Sequence, residues 1–333
     1  MSIREETLRI LEANRGDSVS GETLAKSMGV SRTAVWKAVA GLKREGYPID
    51  AGTNRGYTLS EESGILSFQG MSPWFGTQGD GSSVPTLVFH RSIDSTNNEA
   101  KRLIAAAPAD GIPFGSVIIA EEQTAGRGRR GRSFFAPATG GIYISFILKP
   151  AGNIEHSLRT TVAAAVAVCR AIEIVSEGTQ QPKIKWVNDL FIDGKKICGI
   201  LTEAVSDIES GEIESIVLGI GININVTEDV FPEELRHIAG SVRMPARDRN
   251  RFAAVLIEQV FSAYETLSED GALMDEYRRR SFIVGRSIQV IRGDKKISAI
   301  ALGINDDGSL SVEYADGKRE TLRSGEVSIT ANG

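Results

Sequence analysis

Over the first sixty residues the apolar positions recur at helical spacing in three separate runs. Leu8 and Leu11 begin a stripe in IREETLRILEA, and SGETLAKSMGV puts Leu24 and Met28 on one face before Gly29 ends the run. SRTAVWKAVAGLKREG then repeats Val35, Val39 and Leu42, with Ser31 placed to cap the first turn through its hydroxyl oxygen. The spacing predicts helix, short turn, helix. Next, YPIDAGTNRGYTL carries two short apolar arms around Gly52 to Gly56, a hairpin or wing with Arg55 at its tip. A winged helix-turn-helix is expected over residues 1–62. The polar edge of its last helix, Ser31, Arg32, Thr33 and Lys37, together with Arg55, makes a candidate DNA-reading face. The same helical geometry also serves accessory domains that never touch DNA.

From Ser60 to Pro85 the composition turns to Gly, Ser and Pro, with GTQGDGSSVP the most linker-like stretch, so a boundary is placed near Glu62. Beyond it strands and helices mix. TLVFHRSI, SVIIAEEQ, GIYISFIL, PKIKWVNDLFIDGKKICGILTEAV and ESIVLGIGININV read as strands; STNNEAKRLIAAA, capped by Ser95, and SLRTTVAAAVAVCRAIEIVSEG read as helices. A mixed α/β domain is expected over 63–280. RSIQVIRG, KKISAIALGIN, DDGSLSVEYAD, GKRETLR and EVSIT are short strands spaced by Asp-Gly and Gly turns, which predicts a small SH3-like β-barrel over 281–333. The class is therefore α+β multidomain. No internal repeat is evident.

Composition narrows the setting. The chain has 333 residues, 41% hydrophobic and 24% charged, which suits globular domains rather than disorder. Its N-terminal stretch MSIREETLRI lacks an apolar signal core, and no run of about 18 uncharged apolar residues occurs, so a cytoplasmic protein without membrane attachment is expected. Cys169 and Cys198 sit among apolar neighbours, where cysteine packs as a small hydrophobe, which excludes a disulfide framework and a Cys-rich zinc site. The net charge of −5 is uneven: residues 1–60 hold nine Lys/Arg and seven Asp/Glu, a balance of +2, leaving −7 for the rest.

Against that acidic body, TAGRGRRGR at 124–132 packs four arginines and three glycines into its last seven residues. GRGRRG matches G-x-G-x-x-G in form, but it leads through SFFAPATGG into a strand rather than opening a helix, which excludes a dinucleotide-binding turn. No G-x-x-x-x-G-K-[ST] loop is present either. A nucleic-acid patch is usually terminal or part of a broad basic face, and this loop is neither. The remaining reading is a compact anion site, in which glycines let backbone N–H groups approach and guanidiniums grip a carboxylate or phosphate. With four like charges so close, the empty loop is expected to be mobile and to order on an anion.

KWVNDLFIDGKKICGIL is the other distinctive stretch. Asp193-Gly194 marks a tight hairpin followed by Lys195 and Lys196, and strand parity sends one inward and one outward without saying which. Two turn lysines in water is an equally simple reading.

In this order, SGETLAKSMGVSRTAVWK, STNNEAK, EEQTAGRGRRGR, KWVNDL, GKKICGILTE and GIGININ, followed by a small C-terminal barrel, the chain resembles the bifunctional biotin protein ligases that also act as biotin operon repressors. The resemblance covers nearly the full length. It implies a class II synthetase-like catalytic domain that uses biotin and ATP with Mg²⁺ to form biotinyl-5′-AMP, then transfers biotin to a lysine of a biotin carboxyl carrier domain such as that of acetyl-CoA carboxylase. By position it implies biotin contacts at Ser95, Thr96, Asn97, Gln123, Gly126, Arg127, Gly128, Arg129, Lys196, Gly199 and Gly219, with Arg127, Arg129 and Lys196 catalytic. Arg130, Arg132, Phe134 and Asn223 are implied on the ATP or adenylate side, Gly221 on the strand flooring the pocket, and Asp189 as a metal ligand beside Asn188. The family lysine thus falls on Lys196. Operator DNA and a homodimer loaded with biotinyl-AMP are implied as partners. The alternatives are a ligase whose winged helix does not bind DNA, and a lipoate ligase, against which the winged helix and the full arginine loop argue.

Two positions depart from the family pattern. Val187 stands where proline is usual, which is expected to loosen that turn, and Phe134 stands where tryptophan is usual after the arginine loop, making it the candidate to stack on adenine.

Overall fold

The computed structural model describes residues 1–52, 55–76, 84–108, 111–138, 140–150, 156–206, 211–268 and 271–329. By contacts the chain divides into two units, Met1–Val84 with Met244–Val255, and Pro85–Arg243 with Leu256–Gly333. Most of the linker-like stretch at 76–85 lies outside the described residues, as do two residues of the wing tip.

The first unit holds the three expected helices, α1 (Ile3–Ala13), α2 (Gly21–Met28) and α3 (Arg32–Arg44), then the hairpin β1 (Ile49–Gly52) and β2 (Gly56–Leu59) and a short α4 (Phe68–Met71). Each helix starts on a side-chain cap. Ser2 and Glu5 form a reciprocal capping box on α1, Ser20 accepts from Thr23 N, and Ser31 accepts from Ala34 N at 3.2 Å. Gly29 ends α2 in the left-handed region at φ 65°, turning the chain into α3. Leu8, Leu11, Leu24, Val35, Val39, Leu42, Ile49 and Leu59 form the core, as the helical spacing predicted. Gly56 tucks the wing against Val19: the two-way hydrogen bonds of Val19 and Tyr57 are 2.9 Å, and a Cβ on Gly56 would come within 2.3 Å of Val19 O. Asn250 completes the unit, accepting from Ser67 N and donating to Ile65 O.

The second unit is built on a seven-stranded sheet ordered β3-β4-β5-β9-β8-β7-β6. Its strands are β3 (Leu87–His90), β4 (Val117–Ala120), β5 (Gly141–Leu148), β6 (Lys183–Lys185), β7 (Asp189–Ile192), β8 (Lys195–Ser206) and β9 (Ile213–Asn223), with α5 (Thr96–Ala106) after β3 and α6 (His156–Val175) after β5. Among the described strands of this sheet, β3 and β4 pair parallel and the other neighbours antiparallel. Every residue of β5 is buried, consistent with a largely apolar run at the sheet centre that only Ser145 and the Tyr143 hydroxyl interrupt. Ala100 and Ile104 of α5 pack on Ile118, Ile147 and Val217.

Two further helices, α7 (Arg249–Glu265) and α8 (Gly271–Arg280), occupy a stretch for which no element was expected. The closing strands β10 (Ser287–Arg292), β11 (Lys295–Ile304), β12 (Leu310–Tyr314), β13 (Arg319–Leu322) and β14 (Glu326–Ile329) are the five expected, in a wholly antiparallel ladder ordered β13-β12-β11-β10-β14. This small sheet is fastened to the larger one by Trp186 Nε1 donating to Gly308 O at 2.9 Å and Arg278 Nε donating to Ile304 O at 2.9 Å. Among the described residues no helix is long and apolar enough to cross a membrane.

Two local expectations are corrected. The turn at Val187 is not loose: Val187 is buried and its carbonyl accepts from Tyr277 OH at 3.0 Å, while the Trp186–Val187 peptide is cis. Ser95 stands at the N-cap of α5, but its side chain makes no capping bond; it is buried at the edge of a cleft instead.

Candidate active site

The cleft, about 860 Å³ including its open mouth, lies within the second unit. Its floor is set by glycines in register. Gly219 lies between Ser145 and Leu201 across the sheet, and Gly221 lies between Tyr143 and Gly199. Without Cβ atoms these positions let other groups settle on the strands. A Cβ on Gly221 would come within 2.6 Å of the Phe134 ring, and one on Gly219 within 2.1 Å of Asn97 Oδ1.

Beside the floor, Thr96, Asn97, Gln123 and Ser145 form one hydrogen-bonded row. Gln123 Oε1 accepts from Thr96 N at 2.8 Å and lies 3.1 Å from Thr96 Oγ1. Ser145 Oγ lies 2.7 Å from Thr96 Oγ1 and 2.6 Å from Asn97 Oδ1. Asn97 is 4% exposed, so this polar wall is buried and held in place by its own bonds.

The arginine loop closes over the opposite side. Its ends are pinned by Phe134 N donating to Gly126 O at 2.8 Å and Gly128 N donating to Arg132 O at 2.7 Å. Gly126 is needed because a Cβ there would lie 2.4 Å from Phe134 O. Arg130 sits in the left-handed region at φ 57°, followed by Gly131 at φ 73°, the turn that lets successive guanidiniums diverge.

The expected self-repulsion of the loop is answered by separate acceptors. Arg127 donates to Asn98 Oδ1 at 2.8 Å and lies 3.2 Å from Glu203; Arg129 donates to Asn188 Oδ1 at 3.0 Å; Arg130 reaches Ile291 O at 3.4 Å; Arg132 pairs with Glu326 at 2.7 Å. Burial pushes the Arg129 guanidinium below its ordinary value, with nearby Asp189 opposing the shift.

The two lysines after the hairpin turn part ways. Lys196 lines the cleft with its Nζ 2.6 Å from Asp189 Oδ1, whereas Lys195 turns away to Glu228 and the carbonyl of Arg236. Lys185, paired in register with Asp189, is pushed below its ordinary value by burial. Among the described residues no group of three or more His, Cys, Asp or Glu side chains is placed to hold a metal. The donor set here is cationic, and the Asp189 carboxylate lies against Lys196.

Ser95, Thr96, Asn97, Gln123, Arg127, Gly128, Arg129, Arg130, Arg132, Phe134, Asp189, Lys196, Gly199 and Gly219 all line the cleft. Two expected residues do not. Gly126 serves the loop's closure, and Asn223 turns aside to donate its amide to Gly240 O at 3.0 Å. Sequence reasoning missed Gly325 and Glu326, which reach the cleft from the small sheet, and Glu203, which sits behind Asn97. For Glu203 the signal was present: it follows the GKKICGILT run at strand parity with Leu201 and Gly199.

In the first unit, Ser31, Arg32, Thr33 and Lys37 are exposed on α3 and Arg55 on the wing. Trp36, 60% exposed between them, was not anticipated as part of this face. Arg32, Trp36 and Lys43 of α3, Gly21 and Glu22 of α2, and Gly52 and Tyr57 of the hairpin line a groove.

Three family models match in succession: an HTH domain over residues 4–58, the biotin/lipoate A/B protein ligase family over 89–223, and a biotin protein ligase C-terminal domain over 283–329. The bifunctional ligase/repressor BirA of Bacillus subtilis strain 168 is 31% identical over 325 residues, 95% of each chain. That of Bacillus spizizenii is 32% identical over the same shares. The chain belongs to this bifunctional ligase/repressor family. The BirA of Escherichia coli K12 is 31% identical over 327 residues, 94% of each chain, so kinship with these ligase/repressors runs through the winged helix as well as the cleft. The biotin protein ligase of Aquifex aeolicus, solved in complex with biotin and ATP, shares the fold with a TM-score of 0.60 at 24% identity, over 74% of this chain and 98% of that one.

Proposed function

We infer that the chain is an ATP-dependent biotin–[acetyl-CoA-carboxylase] ligase and a biotin-responsive transcriptional repressor. The observation that carries the first half is the cleft itself: a buried polar wall, a glycine floor, four loop arginines and Lys196 line it, in a chain that matches bifunctional ligase/repressors over 95% of its length. The exposed polar edge of α3 beside the wing supports the second half.

The cleft suits two-step acyl transfer. Thr96, Asn97 and Gln123 offer the paired donors and acceptors that a ureido ring needs, and the apolar Ile200, Leu201 and Ile220 suit its thioether ring and chain. A biotin carboxylate oxygen then attacks the α-phosphorus of MgATP and expels pyrophosphate. Arg127, Arg129 and Lys196 stand where negative charge gathers in that transition state, and they stabilise it without reorganising water. A carrier lysine amine next attacks the acyl carbon and releases AMP. Mg²⁺ would serve as counter-ion of the triphosphate, neutralising part of its charge, while Asp189 stays paired with Lys196. Phe134, resting on Gly199 and Gly221 with its edge toward Tyr143, offers the aromatic face for adenine. Loaded with adenylate, the chain forms a homodimer that sets two recognition helices on the half-sites of one operator.

The test is direct. Purified chain with biotin, MgATP and a biotin carboxyl carrier domain is expected to form biotinyl-AMP and biotinylate the carrier; no adenylate would reject the enzyme reading. A gel shift on the chain's own biotin-gene promoter, with and without biotin plus ATP, tests the repressor: a ligand-independent result would leave the ligase alone.

A further inference from the structure

Behind the polar wall of the cleft, one carboxylate collects groups from two separate segments. Glu203 on β8 has an 18% exposed side chain. Its Oε2 accepts from Asn97 Nδ2 of α5 at 2.8 Å. Its Oε1 accepts from Lys101 Nζ, one turn further along the same helix, at 2.8 Å and lies 3.2 Å from Arg127 of the arginine loop. Burial works against ionisation of Glu203, but the bonds from Lys101 and Asn97 outweigh it and the carboxyl stays below its ordinary value.

This carboxylate decides which way the Asn97 amide points. An ionised carboxylate only accepts, so Asn97 must turn its NH₂ toward Glu203 and its carbonyl toward Ser145. Ser145 then gives its one hydroxyl proton to Asn97 and takes that of Thr96 across the 2.7 Å contact, while Thr96 N holds Gln123 Oε1 at 2.8 Å. The Asn97 orientation thus follows chiefly from Glu203 at 2.8 Å, with the Leu201 carbonyl at 3.4 Å accepting from the same NH₂. On its other oxygen the Glu203 carboxylate holds Arg127 against α5, beside Asn98.

We propose that Glu203 is a positioning residue for biotin, fixing at once the amide that faces the ureido end and the guanidinium that faces the carboxylate end. The proposal rests on the ligase reading above. Neutral glutamine has the same shape but a single acceptor oxygen, and it would present an N–H to one of three donors.

Wild-type chain, Glu203→Gln and Glu203→Asp are compared in a biotinyl-AMP assay that yields KM for biotin and for ATP separately, with a thermal melt of each. Glu203→Gln is expected to raise the biotin KM about 10- to 100-fold, as loss of charge-assisted bonds does, while the ATP KM moves less than about twofold. Glu203→Asp, which keeps the charge on a shorter stem, is expected to fall between the two. A residue that merely stabilised the sheet would raise both KM values or lower the melting temperature with them. Such a joint change, or an unchanged biotin KM, overturns the proposal. If Glu203→Gln fails to fold, Glu203→Asp alone decides: a selective rise in biotin KM supports the proposal and an unchanged value overturns it. A wild-type chain that forms no adenylate rejects the ligase reading itself, whereas an active wild type with indifferent variants overturns only the role of Glu203.

Discussion

Gly219→Ala adds one methyl group to the floor of the cleft. The backbone accepts it, because Gly219 is not among the glycines at positive φ. The obstacle is Asn97: the new Cβ would stand 2.1 Å from Oδ1 and 2.8 Å from Cγ, against 3.4 Å for ordinary contact. The amide must retreat, and it is held by Ser145 Oγ at 2.6 Å and Glu203 Oε2 at 2.8 Å. Losing one neutral bond costs about 1 kcal/mol and one bond to a charged group about 1.5–3 kcal/mol, so about 2.5–4 kcal/mol in all. The side of the amide left open is the cleft, and biotin must push it back on entry. At 1.4 kcal/mol per factor of ten, biotin affinity is expected to fall about 60- to 700-fold. Titration calorimetry with biotin measures this directly. Gly271→Ala at the start of α8, where a Cβ meets nothing within 4 Å, is the control and is expected to bind as wild type. A folded Gly219→Ala chain that binds biotin within about threefold of wild type would refute the idea that Asn97 is rigidly held.

Lys196→Met keeps the aliphatic stem and removes the ammonium; single-turnover adenylate formation is expected to slow about 10²- to 10³-fold, and an undiminished rate would exclude a transition-state role. Lys37→Ala is expected to weaken operator binding and to reduce the slope of log K against log salt by about one, with adenylate formation unaffected; an unaltered slope would mean that Lys37 meets no phosphate. Burial pushes the Cys169 thiol up to about 12 and the Cys198 thiol well above 9.0, so neither is expected to react with iodoacetamide at pH 8 until the chain unfolds. Above the ordinary value of 9.0 the unfolded chain releases thiol protons that the folded chain keeps. Stability should therefore fall as pH rises from there toward about 12, by about 1.4 kcal/mol per pH unit for each thiol, which urea unfolding across that range would detect.

The elements with a clean period were legible from sequence: the three N-terminal helices, the wing, the strands of the large sheet and all five closing strands. The helix at Arg249–Glu265 was overlooked although Phe252, Val255, Leu256 and Val260 repeat along it, because its apolar residues run broadly rather than as a narrow stripe and no Ser, Thr or Asp cap was recognised before it. The residues that line the cleft were legible where they lie in compact motifs. Contacts across the fold were not: parity alone left Lys195 and Lys196 equivalent, the resemblance pointed to Lys196, and its partner Asp189 on the neighbouring strand was not foreseen. Asn223 looked like part of the floor from its place in GIGIN, but its amide is claimed by Gly240, which no local pattern shows.

The ion pair between Arg132 and Glu326 joins residues 194 positions apart, and both line the cleft. Contacts so distant in sequence form after more local ones, since loop closure must come first. A partly folded chain with its large sheet assembled but its last strand undocked has the glycine floor and lacks this wall. The cleft therefore gains its last side only in the finished molecule, and a clip that removed β14 would leave a sheet that looks intact beside a cleft open on one more side.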